Sequence, residues 1–542
     1  MMKKYISILL IVLIISSTIV SAFGLGTVST LSDIEEHWIR DYKEVVYFLQ
    51  HIEVLKGYSD NTFKPQNPIT REEFIKILIV ALGADFSLIK ADANSFIDVP
   101  QAHWSYQYIE AAIQMGIIYP LEYGTNLDPQ KPITRQEIAF MLARALEGFG
   151  RKRLSVLSQT SFLDDSMITE GAKPYVQAVY EAELMKGYSV AGGFNFGPHQ
   201  TTTRAEAAII IYRLIGLKES PKKIGFYAID SYKQIDTIKY FDEIIFGWSA
   251  LMADAEGNIR FTLNSTESKH RLPNAYQEPL NRSKELSIAA KLMVTDARTS
   301  VIYPLLESKA MQEVFIKDAL QAIEELGMSG LVMDLENIRN TEKGYRAMYV
   351  SFLKDLQLAL ANKQYTLSVA VQPDNVVGYY DGFDFKQISE IAEDIILMAH
   401  DYYDRNTVAF ATDHAPLQKV KGAVASLLAK GVAKNKLILA IQIAGATQVR
   451  SVGNEGNRIY TPTMTTVYEA LTTRNGVQGF DYNTMTPSFT YVDSVEDIKG
   501  TIKYENRMSV NIKLLLAKFY GIKGVSYWRL GELQQDVLEL LQ

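Results

Sequence analysis

A motif that returns at a nearly constant interval constrains this chain more than any other feature. Leu31-Ser32-Asp33-Ile34, Phe96-Ile97-Asp98-Val99-Pro100 and Phe162-Leu163-Asp164-Asp165 open three units whose aspartates stand 65 and then 66 residues apart. His37-Trp38 and His103-Trp104 follow the first two openings. Each unit closes on a second signature: Ile69-Thr70-Arg71-Glu72-Glu73, Ile133-Thr134-Arg135-Gln136-Glu137 and Thr202-Thr203-Arg204-Ala205-Glu206. The threonine stands where a helix N-cap belongs, and the glutamate three residues on completes a capping box. Apolar residues then recur at helical spacing, as in Phe74, Ile77, Leu78 and Ala81. Between the signatures, Lys56-Gly57-Tyr58-Ser59-Asp60-Asn61 and Lys186-Gly187-Tyr188-Ser189 carry turn residues. Each unit therefore reads helix, turn-rich loop, helix.

This set of motifs resembles the S-layer homology repeat, in three units at 31–83, 96–148 and 162–216. The resemblance implies an all-α, pseudo-threefold assembly that binds a pyruvylated secondary cell-wall polymer in grooves between repeats. The matching positions are Arg71, Arg135 and Arg204, with the loop residues Gly57, Tyr58, Ser59, Gly187, Tyr188 and Ser189. A guanidinium suits an anionic ketal carboxylate, because it offers two parallel charge-assisted hydrogen bonds. The alternative is that each arginine braces its helix by pairing with a neighbouring glutamate. The second unit lacks the Gly-Tyr-Ser turn, reading Ile118-Tyr119-Pro120-Leu121-Glu122-Tyr123-Gly124, and the third lacks the His-Trp pair.

A chain of 542 residues exceeds one hydrophobic core, so further domains are expected. Met1-Met2-Lys3-Lys4, an apolar run from Tyr5 to Val20, and the small residues Ser21-Ala22 read as a signal peptide over 1–22. Its removal would leave no stable membrane span. The net charge of −7 argues against nucleic acid as the main partner, since phosphate binding needs a concentrated basic face. The absence of cysteine removes disulfides, thiolate metal sites and cysteine nucleophiles. After the third unit, Leu217-Lys218-Glu219-Ser220-Pro221-Lys222-Lys223 is polar with one proline and reads as a linker at 217–223.

From Ile224 to the end, at 224–542, short apolar runs alternate with helical patterns. Candidate strands are 224–227, 243–246, 289–294, 330–335, 367–371, 394–398, 437–441 and 524–528. Helical stretches such as 313–326 and 507–520 lie between them. Eight such strands predict an α/β (β/α)8 TIM barrel with its active site at the C-terminal strand ends. In the fourth strand, Val332, Asp334 and Glu336 share one face, while Leu331, Met333 and Leu335 share the other and pack on helices. Two carboxylates thus point into the barrel. Burying like charges together is unfavourable unless one is protonated or used.

Here the chain resembles the family 18 glycoside hydrolases, nearest their spore-cortex and cell-wall N-acetylglucosaminidase branch. That family's Asp-x-x-Asp-x-Asp-x-Glu strand is matched by Asp334 and Glu336, with Ser329 and Val332 at the first two aspartate positions. Gly225-Phe226-Tyr227, Phe246-Gly247-Trp248, Met398-Ala399-His400-Asp401-Tyr402 and Tyr527-Trp528 also resemble it. The resemblance implies substrate-assisted, retaining hydrolysis of a 2-acetamido glycan, peptidoglycan or chitin-like, with no metal or cofactor. Glu336 would be the acid, Asp334 the acetamido-orienting group and Asp401 an assistant. Trp528, Tyr227, Trp248, His400 and Tyr402 would contact substrate. His400 replaces the family's tyrosine, and is equally readable as a structural histidine with Tyr402 in that role. The leading expectation is a secreted hydrolase attached to the wall or S-layer of a Gram-positive-type bacterium. The alternatives are a catalytically degenerate barrel serving as a surface glycan-binding or structural S-layer protein, and a spore-associated germination factor.

Overall fold

The computed structural model describes residues 30–88, 95–150, 157–341, 343–376, 381–403, 411–452, 456–493 and 497–542. The expected signal peptide at 1–22 lies outside the described residues. In the N-terminal third, one local rule is applied three times. The leading aspartate accepts two successive backbone N–H groups ahead of the closing helix. Asp33 takes those of Phe63 and Lys64 at 2.7 Å, Asp98 those of Leu127 and Asp128 at 2.9 and 2.8 Å, and Asp164 those of Phe196 and Gly197 at 2.7 and 2.8 Å. Lys64, Asp128 and Gly197 all adopt positive φ, so the carboxylate offsets a locally unfavourable turn in two of the three.

The closing helices are Arg71–Leu82, Arg135–Gly148 and Arg204–Gly216, each with its threonine and glutamate in a complete capping box. Their entry segments bond in a cycle: Ile69 N–H to the Thr202 carbonyl, Thr202 N–H to that of Ile133, and Ile133 N–H to that of Ile69. That cycle closes the pseudo-threefold arrangement. The third unit departs from purely helical structure. Tyr188–Val190 pairs with Gly193–Asn195 in a hairpin, turned at Gly192 and Gly193, both at positive φ.

Eight further strands close a barrel: β1 Lys222–Tyr227, β2 Glu243–Ala253, β3 Ala289–Asp296, β4 Gly330–Leu335, β5 Thr366–Val371, β6 Asp394–Leu397, β7 Leu437–Gln442 and β8 Gly524–Trp528. Neighbours are parallel throughout, and β8 pairs back onto β1. β1 begins at Lys222, so the last two residues of the expected linker belong to the barrel. Strand alternation sorts the side chains into two layers. Ile224, Phe226, Ile245, Met293, Val332 and Ile396 fill the lumen. Leu331, Met333 and Leu335 pack outward on the helices, as the alternation on β4 predicts. At the N-terminal mouth, buried Lys291 meets Asp394 at 2.9 Å, Glu243 at 3.3 Å and the Ser368 hydroxyl at 2.9 Å.

Between β7 and β8 stands an element absent from the sequence reading. Strands at Thr447–Val452, Arg458–Tyr460, Gly476–Asp481, Thr486–Asp493 and Ile498–Lys503 form an antiparallel sheet beside the helix Met464–Thr473. It has its own small core of Met464, Val467, Phe489, Tyr491 and Ile502. Among the described residues, no helix is long and apolar enough to cross a membrane.

Candidate active site

Asp334 is buried in the lumen near the end of β4, and Glu336 follows just past the strand. The Glu336 N–H donates to the Asp296 carbonyl at 2.9 Å, extending the β3–β4 ladder to the rim. Asn337 then takes a left-handed conformation (φ 61°), which ends the strand. Its N–H donates to Gln372 Oε1 at 2.8 Å, and its Nδ2 donates to the Ala297 carbonyl at 3.0 Å. With Oε1 held in this way, the Gln372 amide nitrogen donates to Glu336 Oε2 at 3.3 Å.

Burial pushes the Glu336 carboxyl well above the usual range, and the negative charges of Asp334 and Asp401 push it further. Asp334 is also raised by burial, against a hydrogen bond from Thr295 and the charge of His400. Its Oδ1 is buried and meets no hydrogen-bond partner among the described residues. From the β6 end, His400 Nδ1 lies 3.0 Å from Asp401 Oδ2. Desolvation by the cleft wall works against Asp401 ionising. The His400 hydrogen bond, the charges of His400 and His414, and a bond from Gln442 outweigh it and hold this carboxyl below its usual range.

These groups border a cleft of about 1180 Å³, lined by Glu336, Asn337, Gln372, Met398, His400, Asp401, Tyr402 and His414. Thr461 and Pro462 bring the inserted sheet's flank to its wall. Trp528 is half-buried at the end of β8, its ring 5.3 Å from that of Phe226 and packed on the same lumen layer as Met398. The Tyr402 hydroxyl donates to Asn375 Oδ1 at 2.8 Å, so it is engaged in the wall itself.

The repeats hold their arginines at the three boundaries between units. Arg71 donates to the Leu127 carbonyl at 2.6 Å and, through Nε, to Glu137 Oε1 at 2.8 Å. Arg135 reaches the carbonyls of Phe196 and Lys186 at 2.7 Å, and Arg204 those of Phe63 and Lys56 at 2.9 and 3.0 Å. All three are buried. Each reaches from one unit into the next, mainly onto backbone carbonyls, with a signature glutamate of that unit 2.6, 3.9 and 3.6 Å away. Tyr58 and Tyr188 lie over the Arg204 and Arg135 guanidiniums, 4.7 and 4.6 Å from ring centroid to carbon. Ser59 and Ser189 are exposed beside them. Gly57 and Gly187 are packing glycines, since a Cβ would stand 2.7 Å from Leu31 and 2.8 Å from Phe162.

A family model described as glycosyl hydrolases family 18 matches residues 222–532, more than half of the chain. The chain belongs to glycosyl hydrolase family 18. The S-layer homology domain matches three times as well, at 30–75, 95–139 and 161–208. The cortical fragment-lytic enzyme of Bacillus anthracis is 26% identical over 238 residues, covering 43% of this chain and 53% of that protein. The surface-layer 125 kDa protein of Lysinibacillus sphaericus is 25% identical over 334 residues, covering 61% of this chain and 25% of that protein. The chain thus spans about half or less of the curated relatives it matches. The spore cortex-lytic enzyme SleL of Bacillus megaterium QM B1551 shares the fold, with a TM-score of 0.51 at 16% identity over 65% of this chain and 78% of that one.

Within this family 18 barrel, Glu336, Asp401, His400 and Tyr402 border one cleft, with Asp334 beneath. Two expected substrate contacts lie elsewhere. Tyr227 and Trp248 are 2% and 0% exposed and pack with Phe246 in the layer between strands and helices. Phe226 faces the lumen, so Tyr227, one residue on, must face out; likewise Ile245 faces in, Phe246 and Trp248 out. Gln372, Asn337 and His414 escaped the sequence reading. Gln372 was open to inference, as the polar residue directly after the apolar run of β5. His414 follows β6 in an irregular segment with no periodic signal.

Proposed function

We propose that the chain is a wall-anchored glycosidase that cuts glycans of 2-acetamido sugars by a retaining, substrate-assisted route. The observation that carries this is the carboxylate pair on β4, one buried and one at the cleft. Asp334 and Glu336 are two residues apart on the same strand face, so they approach a bound sugar from one side. Membership of family 18 supports a nucleophile supplied by the substrate itself. Glu336, protonated through burial and its negative neighbours, gives its proton to the glycosidic oxygen as the C1–O bond breaks. The acetamido carbonyl oxygen attacks C1 and forms an oxazolinium ring. Asp334 Oδ1 is the acceptor for the acetamido N–H, and its charge stabilises the ring's positive charge. Glu336, now ionised, takes a proton from the water that opens the ring at C1, which restores the acid. The Asp401 carboxylate, 3.0 Å from His400 Nδ1, stands beside the pair, and Trp528 gives the lumen floor an aromatic face.

The repeats would hold the enzyme beside its polymer at the cell surface, raising effective concentration without tight binding by the barrel. The pyruvylated wall polymer is their proposed ligand, reached through exposed Tyr58, Ser59, Tyr188 and Ser189 rather than through the backbone-bonded faces of the arginines. Turnover of N-acetylglucosamine oligomers by wild type and Glu336→Gln tests the catalytic reading. A loss of roughly 10²–10⁴-fold in the variant supports it. Intact binding with no turnover in either protein would assign the barrel to glycan binding instead.

A further inference from the structure

We propose that Lys419 reads a carboxylate on the glycan, so that the barrel takes an acidic N-acetylated polymer in preference to a neutral one. This rests on the hydrolase reading for turnover but not for binding. Lys419 lies in the first turn of the helix Leu417–Ala429 and lines both the catalytic cleft and an adjoining hollow of about 470 Å³. Its backbone carbonyl accepts from Asn375 Nδ2 at 2.8 Å and from the Tyr402 hydroxyl at 3.4 Å. That ties it to the residue following Asp401. Its ammonium lies 3.5 Å from the Asn375 carbonyl and 5.9 Å from the Tyr402 ring centroid, with no acidic partner among the described residues.

Nearby cations are neutralised. Lys430 pairs with Asp374, Lys421 with Glu53 at 2.5 Å, and Lys503 with Asp413 at 3.4 Å. Asp401 already has His400. A neutral sugar covering the Lys419 ammonium would strip its water without returning a charge, whereas a carboxylate returns a charge-assisted bond. On a 2-acetamido glycan that carboxylate comes either from a 3-O-lactyl ether on the sugar or from a peptide attached to it.

The full chain is assayed on three substrates: chitotetraose, peptide-stripped muramic glycan with free lactyl carboxylates, and the same glycan with its peptides. Wild type is expected to favour one or both acidic glycans in kcat/KM. Lys419→Met should cut that preference about tenfold, mainly through KM. Added salt should erode it in wild type and leave the variant flat. Preference for the stripped glycan assigns the lactyl group, and preference for the peptide-bearing form assigns the peptide. An equal preference in wild type and variant overturns the proposal. The same three ligands are titrated against Glu336→Gln, so that a failure of catalysis is told apart from a failure of carboxylate recognition. Equal affinity for the neutral and acidic ligands there overturns the proposal as well.

Discussion

Glu336 holds its proton through burial beside two other acids, and this has consequences for rate and for stability. The rate should fall as pH rises through its elevated pKa, because the ionised form cannot protonate a leaving oxygen. Gln372 donates to the ionised carboxylate, so Gln372→Leu should move that alkaline limb of the kcat/KM profile to higher pH. For stability, a carboxyl whose pKa is raised by folding contributes fully below its unfolded value and loses that contribution as pH rises through the folded value. Glu336→Gln carries no such charge. It should therefore be more stable than wild type above neutrality, by on the order of 4 kcal/mol, and match it in acid below the ordinary carboxylate range. Calorimetry at both pH values checks this, and a variant less stable than wild type at high pH would contradict the assignment. The pair itself was legible in the sequence, because alternation on one strand fixes which side chains share a face. The same alternation, applied to Phe226 and Ile245, would have turned Tyr227 and Trp248 away from the cleft. The aromatic identity of those two residues obscured it.

At the scale of elements, the capping boxes do more than start helices. Glu137 uses Oε2 to accept the Thr134 N–H at 2.9 Å and Oε1 to hold Arg71 of the preceding unit. Glu206 and Glu73 are placed alike toward Arg135 and Arg204, at 3.9 and 3.6 Å. Each signature glutamate therefore joins a cap to a repeat boundary. Thr134→Ala should destabilise by about 1 kcal/mol, the ordinary value of a lost cap. Glu137→Ala should destabilise by about 3 kcal/mol, since it also removes the nearer carboxylate of buried Arg71, leaving it Asp128 at 3.6 Å. A double-mutant cycle of Arg71→Met with Glu137→Ala, read by chemical denaturation, should show coupling that Thr134→Ala lacks. The repeats and the eight strands were legible because spacing and uninterrupted apolar runs encode them. The inserted sheet was not. Its strand at Gly476–Asp481 exposes nearly every residue, and Ile498–Lys503 buries only alternate ones, so neither makes an apolar run. The length between Gln442 and Gly524 was the available signal, being far more than one helix needs to return the chain.

The whole molecule joins its anchor to its barrel through specific contacts. Tyr47 stacks on Tyr482 of the inserted sheet with centroids 5.1 Å apart, and Lys421 donates to the His51 carbonyl at 2.8 Å. Lys218 reaches the Phe519 carbonyl at 2.9 Å, and Lys518 that of Gly216 at 2.7 Å. The inserted sheet thus serves the cleft on one side and the repeats on another, so seating of the anchor and the cleft wall share one support. At its centre, buried His51 places Nε2 3.0 Å from the Tyr482 carbonyl. A carbonyl only accepts, so Nε2 carries the proton. Burial lowers the His51 pKa from 6.5 to about 4; the Tyr482 bond opposes this and the Lys421 charge adds to it. A histidine depressed by folding contributes stability above its unfolded pKa and loses it as pH falls toward the folded one. Acidification from pH 6.5 to about 4 should therefore weaken the docked arrangement by about 3 kcal/mol. Hydrogen exchange in the strands around Tyr482, followed across that window, should report the loosening. His51→Gln can still donate to the carbonyl but cannot take up a proton, so its exchange should stay level over the same range. If both proteins loosen at the same pH, the switch belongs to another group, and the anchor and the barrel are not coupled through this histidine.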